Sequence, residues 1–368
     1  MFVLAAALGF VVVAFTVWGA LFLWYSPLPF APLRLGLAIA FVLGTVASFS
    51  LMRNRWRTLA VFLAVVAGLI AWFLLIPPSL DRGWAKDVAV LPTAEIDGDV
   101  VTIRNIRNFE YRTDTDFTPR YYDKTLDLRK LESTDIIAVY WGSPAIAHLM
   151  VSFGFGGNDF IAFSIEMRPE HGEQTSMIES FFRKYELICI AADERDVIRV
   201  RTNFRTPRED VHVYRTRMPL EIQRDFFMSY VNDIDAMSRE AQWYNTLDDN
   251  CTTGVLARTR SYHGVARYNW RLLLSGYAPE YLYELAGIDT SMPFEQLRQR
   301  CLVNSRAESS GDAADFSVRI REGQPKPKPY TMTEVHWMRF CVAMTASSFR
   351  NGTMARTASS RTLVFANP

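Results

Sequence analysis

The chain has 368 residues with 40 basic and 39 acidic side chains, so its net charge is +1. So even a balance disfavours a simple polyanion-binding protein, and no nucleic-acid partner is expected. The distribution is uneven, because residues 1–80 hold four of the basic side chains, Arg34, Arg53, Arg55 and Arg57, and none of the acidic ones. The mean hydropathy of +0.02 therefore averages an apolar N-terminal fifth with an ordinary globular remainder, which is large enough to bury one sizeable core.

Residues 1–25 run without a charge, long enough at about 1.5 Å per residue to cross a hydrocarbon core of about 30 Å. Two similar stretches follow, Leu35–Met52 and Thr58–Ile76, separated from the first by Pro27, Pro29 and Pro32 and closed by Pro77-Pro78. Three transmembrane helices are predicted, making residues 1–80 a membrane unit. A cleaved signal peptide is disfavoured: the basic leader is missing, the apolar run is too long, and two more follow. Three of the four arginines, Arg53, Arg55 and Arg57, sit in the link between the second and third helices. Basic links stay cytoplasmic, so the third helix exits outward and the chain from about Asp81 is extracytoplasmic.

The soluble domain is expected over residues 81–324. Asp97-Gly98-Asp99 is a turn signal and Val100–Ile103 a β-branched strand. Residues 105–130 alternate in charge without a helical period, the pattern of a solvated surface with ion pairs. Ile136–Trp141 reads as a buried strand; Ala147–Phe155 and Phe160–Glu166 form a hairpin about the turn Gly156-Gly157-Asn158-Asp159. Leu187–Ala191 and Val211–Tyr214 continue the sheet, and Glu221–Asp235 is an amphipathic helix by its apolar spacing. Val318–Arg321 reads as a last strand. Gln324–Pro329 is a stiff extended linker, and 330–368 is expected to be a disordered tail.

The four cysteines and five histidines match no paired metal or redox spacing, so no metal site is expected. Cys251 stands apart. The run Asn245–Asn250 leads into an apolar, helix-like stretch, placing Cys251 near a helix N-terminus, where the dipole and unsatisfied N–H groups favour thiolate. A catalytic thiol also needs a base, a group to hold that base, and donors for an oxyanion. His148, at the start of a central strand, is the candidate base; Ser164 or Glu166, on the facing strand, the candidate third group. Asn250 and the Cys251 backbone N–H are candidate oxyanion donors. Cys189, between two isoleucines in a strand, reads as core, and a disulfide between Cys301 and Cys341 stays open.

A further set of residues carries a resemblance: Asn105–Arg112, Trp141 with Ala147-His148, Ser152-Phe153 and Phe155, Ser164–Arg168 with Gly172-Glu173, Tyr185-Glu186, Ala192-Asp193-Glu194, and Asn250–Thr253. Over roughly residues 84–323 the chain resembles the periplasmic-domain family of Lnb, the bacterial lipoprotein intramolecular transacylase. The resemblance implies an α+β fold of the circularly permuted papain-like kind, with a Cys–His dyad falling on Cys251 and His148. It also implies a thiol acyltransferase of the bacterial cytoplasmic (inner) membrane, its catalytic domain on the periplasmic side. The implied reaction moves an acyl chain within a diacylglyceryl lipoprotein, through a thioester, to the N-terminal amine, leaving a lyso-form lipoprotein. Its partners would be membrane lipid and the diacylated lipoprotein N-terminus, and no cofactor is implied. The alternatives are an envelope cysteine peptidase or amidase on the same fold, and a non-catalytic envelope binding module using the 105–130 surface.

Overall fold

In the computed structural model, residues 2–245 and 270–335 are described. Three helices come first: α1 (Phe2–Tyr25), α2 (Ala31–Leu51) and α3 (Arg55–Leu75). Each contains a stretch of 21 residues long and apolar enough to span a membrane. Two boundaries differ from the sequence reading. Pro32 does not break the first link; it lies in the first turn of α2, where its missing N–H costs no hydrogen bond and its fixed φ suits the helix. Arg55 and Arg57 likewise belong to the first turn of α3, whose N-cap Asn54 accepts from the Arg57 N–H at 3.1 Å. Helices α1 and α2 approach closely at Gly19, where a Cβ would lie 2.6 Å from the Phe41 ring; a small residue permits such packing in lipid. Trp18, Phe22, Trp72 and Phe73 interlock α1 with α3 at ring separations of 5.0–5.8 Å.

The rest is mixed α+β. Ten strands are found among the described residues: β1 (Thr93–Asp97), β2 (Val100–Arg107), β3 (Glu110–Tyr111), β4 (Phe117–Thr118), β5 (Tyr121–Asp127), β6 (Leu131–Tyr140), β7 (Ala147–Phe155), β8 (Asp159–Arg168), β9 (Glu186–Ala192) and β10 (Asp210–Arg215). Eight of them make one sheet in the order β1-β2-β9-β8-β7-β6-β10, with β5 also pairing β2. The ladders are antiparallel except at Arg107↔Ala192, where β2 meets β9 in parallel. Between β9 and β10 come a short helix α4 (Glu194–Val197) and a π-helical turn, Val200–Phe204. The long helix α5 (Leu220–Arg239) follows β10.

Both faces of the sheet are covered, which is why its strands read as nearly continuous apolar runs. On one face Leu149, Val151, Phe153, Phe163 and Cys189 pack against Phe226, Phe227 and Tyr230 of α5. The opposite face, with Ile137, Val139, Met150 and Ile190, is covered by α4, the π-turn and the C-terminal segments holding Val303, Ala307, Phe316 and Ile320. The sequence reading of Val318–Arg321 as a strand fails here, because Phe316–Arg319 is a helical turn. Phe316 and Ile320, four residues apart, both point into the core, a helical spacing that the alternation Val-Arg-Ile-Arg disguises.

The charged stretch 105–130 is mostly the expected exposed ion-pair surface, as in Arg112–Asp116 and Arg129–Asp127. Arg107 is the exception: it is buried and binds Asp196 of α4 at 3.0 Å. Cys301 carries a free buried thiol, and Cys341 lies outside the described residues. The extended linker ends on the domain, where the Tyr330 N–H donates to the Arg217 carbonyl at 2.8 Å and Arg217 stacks 3.9 Å above the Tyr330 ring. The remainder of the expected tail, from residue 336, is outside the described residues.

Candidate functional site

The side-chain period of a strand puts His148 of β7 and Ser164 and Glu166 of β8 on one face of the sheet, the face away from α5. The β7–β8 ladder makes its last pair at Met150↔Ser164. His148 and Glu166 lie just beyond it, where the strands part and leave room for side chains to meet. His148 Nε2 is 2.7 Å from Ser164 Oγ, and the Ser164 hydroxyl donates to Glu166 Oε1 at 2.7 Å. Nε2 also lies 3.6 Å from the same carboxylate oxygen, with the two side chains 16% and 21% exposed.

This geometry fixes the ring's tautomer. A hydroxyl has one proton to give, and Ser164 gives it to Glu166, so the serine oxygen accepts from Nε2–H. In the neutral ring Nδ1 is then the basic nitrogen. The chain requires an ionised Glu166, and its surroundings provide that: burial alone would push this carboxyl up, but the bond toward His148 and the charges of Arg201 and Arg107 outweigh it and hold it well below the ordinary carboxylate range.

Arg201, from the π-turn, is the residue that sequence reading missed. Its guanidinium is buried, donates to the Val197 carbonyl at 2.7 Å, and reaches Glu166 at 3.4 Å and Glu209 at 3.7 Å. Among the described residues, Arg201 Nε and Glu209 Oε2 have no hydrogen-bond partner. The available signal was an arginine directly following the apolar residues Val197, Ile198 and Val200, a placement that demands a buried carboxylate, although spacing cannot tell which one. A cleft of about 360 Å³ opens beside these groups, lined among others by Trp141, His148, Glu166, Met177, Arg201 and Tyr244.

The backbone ahead of His148 is held from the far side of the Cys251-bearing segment. The Ala147 N–H donates to Ser275 Oγ at 2.9 Å, and the Gly276 N–H to the Ala145 carbonyl at 3.0 Å. Glycine is required at 276, since a Cβ there would sit 2.1 Å from the Pro144 oxygen. Cys251 and Asn250 themselves lie outside the described residues. The chain leaves those residues one position after Tyr244 in the cleft wall and is described again five positions before Ser275.

The cleft lies at the end of the domain nearest the membrane helices. Trp243, next to Tyr244, donates from its indole to the Ile76 carbonyl at 3.2 Å, and Arg183 donates to the Leu74 and Ile76 carbonyls at 2.9 and 3.2 Å. Glu186, which opens β9, accepts from the Ser79 N–H at 3.0 Å and pairs with Arg82 at 2.8 Å. Glu186 and Arg168 face each other across the ladder, so Glu166 is two residues along β8 from this rim.

Fold and site together define a membrane-anchored α+β protein with a polar relay on a histidine beside its anchor. Residues 117–276 match the family described as the Lnb N-terminal periplasmic domain. The match is narrower than residues 84–323; it runs from β4 to Gly276 and takes in His148, Ser164, Glu166, Asn250 and Cys251. With the three apolar helices it fits a membrane protein whose domain is extracytoplasmic. No curated protein and no solved structure matches the chain. Of the other residues that carried the resemblance, several have structural work. Asn105 adopts φ 61° at the bulge of β2, with its side chain donating to the Leu91 carbonyl at 3.1 Å. Glu173 accepts from the Glu170 N–H at 2.9 Å.

Proposed function

We propose that the protein is a thiol acyltransferase of the bacterial inner membrane that moves an acyl chain within diacylglyceryl lipoproteins, using Cys251 as nucleophile and His148 as base. The observation that carries this reading is the His148–Ser164–Glu166 relay, which leaves Nδ1 as the basic nitrogen and lies beside the membrane anchor. Cys251 is seven residues from Tyr244 in the cleft wall, a tether of at most about 25 Å. The order His148, Ser164/Glu166, Cys251 along the chain is papain's order of thiol, histidine and third group with the thiol moved from first place to last. It supports a circularly permuted papain-like fold, as do the sheet strands carrying the base and its support.

In this mechanism Nδ1 takes the thiol proton, and the thiolate attacks the ester carbonyl of the diacylglyceryl group. The tetrahedral oxyanion is met by the Cys251 N–H and Asn250. As the C–O bond breaks, the departing alkoxide takes the proton from the imidazolium, leaving a thioester. The free α-amine then attacks the thioester carbonyl, gives a proton to Nδ1, and the C–S bond breaks to return the thiolate and form an amide. Glu166 keeps its negative charge throughout and stabilises the imidazolium, as a relay carboxylate does without itself being protonated. The partners are membrane lipid and the lipoprotein N-terminus, confined with the enzyme to one surface so that local encounter replaces a three-dimensional search.

The test is mass spectrometry of a diacylated lipopeptide incubated with the full-length protein in detergent. An acyl shift to the amine is expected for wild type and its complete loss for Cys251→Ala. A Cys251→Ala protein that still shifts the chain overturns the reading. Hydrolysis of peptidoglycan fragments in place of the shift would instead support an amidase on the same relay.

A further inference from the structure

We propose that Met177, Ile178 and Phe181 form a membrane-inserted lip through which the cleft opens sideways into the outer leaflet of the bilayer. The three side chains are 51%, 58% and 44% exposed, in a segment that ends in the turn Glu179–Phe182. Apolar side chains grouped this way on a soluble domain mark a surface that is covered in use.

The covering is identified by what the patch adjoins. Phe182, the next residue, packs on Tyr25 at the end of α1, with ring centroids 5.4 Å apart. Arg183 binds the Leu74 and Ile76 carbonyls at the end of α3 and lies 4.8 Å from the Phe73 ring. The lip is therefore continuous with two spanning helices at the ends where they leave the hydrocarbon. A short apolar segment held at that level lies in the headgroup and acyl boundary, as interfacial segments do. Arg183 and Tyr25 have the chemistry of interfacial anchors, each with an apolar body and a polar tip.

Met177 belongs to both surfaces, since it also lines the cleft that holds His148 and Glu166. An apolar track thus runs from lipid past Met177 to the relay. Resting on the acyl-transfer reading, this track names the route of the substrate. The donor chain slides from the leaflet into the cleft without crossing water, and only its ester reaches the polar floor.

The test uses the full-length protein in phosphatidylethanolamine–phosphatidylglycerol vesicles, with the photo-crosslinking amino acid p-benzoylphenylalanine placed singly at Ile178, Phe181, Leu75 or Asn158. Leu75 ends a spanning helix and is exposed. Asn158 is exposed beyond the opposite end of β8, ten residues of strand from Arg168 or roughly 30 Å away. Phospholipid adducts are expected at 75, 178 and 181 and none at 158. They should be unchanged in a Cys251→Ala background, because insertion needs no chemistry. Adducts at 75 with none at 178 and 181, or adducts at 178 and 181 that join two protein chains, overturn the lip. Since the readout is independent of turnover, a missing lip and a missing acyl transfer are told apart.

Discussion

Replacing Glu166 with glutamine keeps the shape of the relay and removes its charge. The carboxylate oxygen lies 3.6 Å from His148 Nε2, where an imidazolium–carboxylate attraction at an effective dielectric of about 20 amounts to about 4.6 kcal/mol. That figure is a ceiling, because Arg201 at 3.4 Å and the Ser164 hydroxyl at 2.7 Å share the same oxygen. The net worth of a hydrogen bond to a charged group, about 1.5–3 kcal/mol, is the better guide. It corresponds to a roughly ten- to hundredfold fall in kcat. KM for the lipopeptide should hardly change, since Glu166 acts through His148 and not on substrate. The acid limb of kcat/KM should move to lower pH, because the imidazolium loses its nearest anion and Nδ1 stays unprotonated further down. Initial rates of N-acyl product, measured by mass spectrometry across pH on detergent-solubilised protein, read all three quantities. A Glu166→Gln enzyme with wild-type kcat and an unmoved pH profile refutes the relay, and a rise in KM with kcat intact assigns the residue to substrate binding instead.

Arg321 pairs with both Asp135 and Glu194, two carboxylates that are 1% and 0% exposed. Arg321→Leu strands buried charge and should cost about 3–5 kcal/mol, a fall in melting temperature on the order of 10 °C by scanning fluorimetry. Burial pushes the His212 imidazole down to about 4, while its Nδ1 bonds the Arg298 carbonyl at 3.0 Å. The unfolded chain takes the proton first, near pH 6.5, so stability is full above that pH. About 3 kcal/mol is lost as pH falls toward 4; His212→Asn, melted at neutral and mildly acidic pH, should show a shallower loss. Gly276→Ala drives a methyl into the Pro144–Ile146 backbone and should cost about 1–3 kcal/mol, with activity falling further than stability because that loop leads into His148. Equal losses in both would show that the loop does not position the base.

Much of the sheet was legible because a strand buried on both faces writes itself as a dense apolar run; Ile136–Tyr140, Ala147–Phe155 and Leu187–Ala191 all do this. The helix α5 was legible from its apolar spacing because, unlike the strands, it is buried on one side only. His148, Ser164 and Glu166 could be grouped because a hairpin with a recognisable turn fixes which residues share a face. The last strand was misread because alternation over four residues does not distinguish a strand from one helical turn. Arg201 was invisible as a partner of Glu166 because the π-turn that carries it follows β9, and only the tertiary fold brings it under β8. Buried ion pairs between distant elements leave no periodic trace.

Those pairs share one location. Arg107–Asp196, Arg321 with Asp135 and Glu194, and Arg201 with Glu166 and Glu209 all lie on the face of the sheet away from α5. The α5 face is apolar and supplies the drive to fold. On the other face Glu166, Asp135 and Glu194 receive their counter-charges from the π-turn and the C-terminal segment, while Arg107 of β2 meets Asp196 of α4, so these polar groups are aligned only when the covering segments are docked. Charge buried this way contributes little net stability, yet it holds groups in one arrangement. Glu166 is part of this scheme and adds a second bond, through Ser164, to His148. The same architecture that fixes the ion pairs thus holds the imidazole, because the π-turn supplies the Arg201 charge beside the carboxylate to which Ser164 links His148.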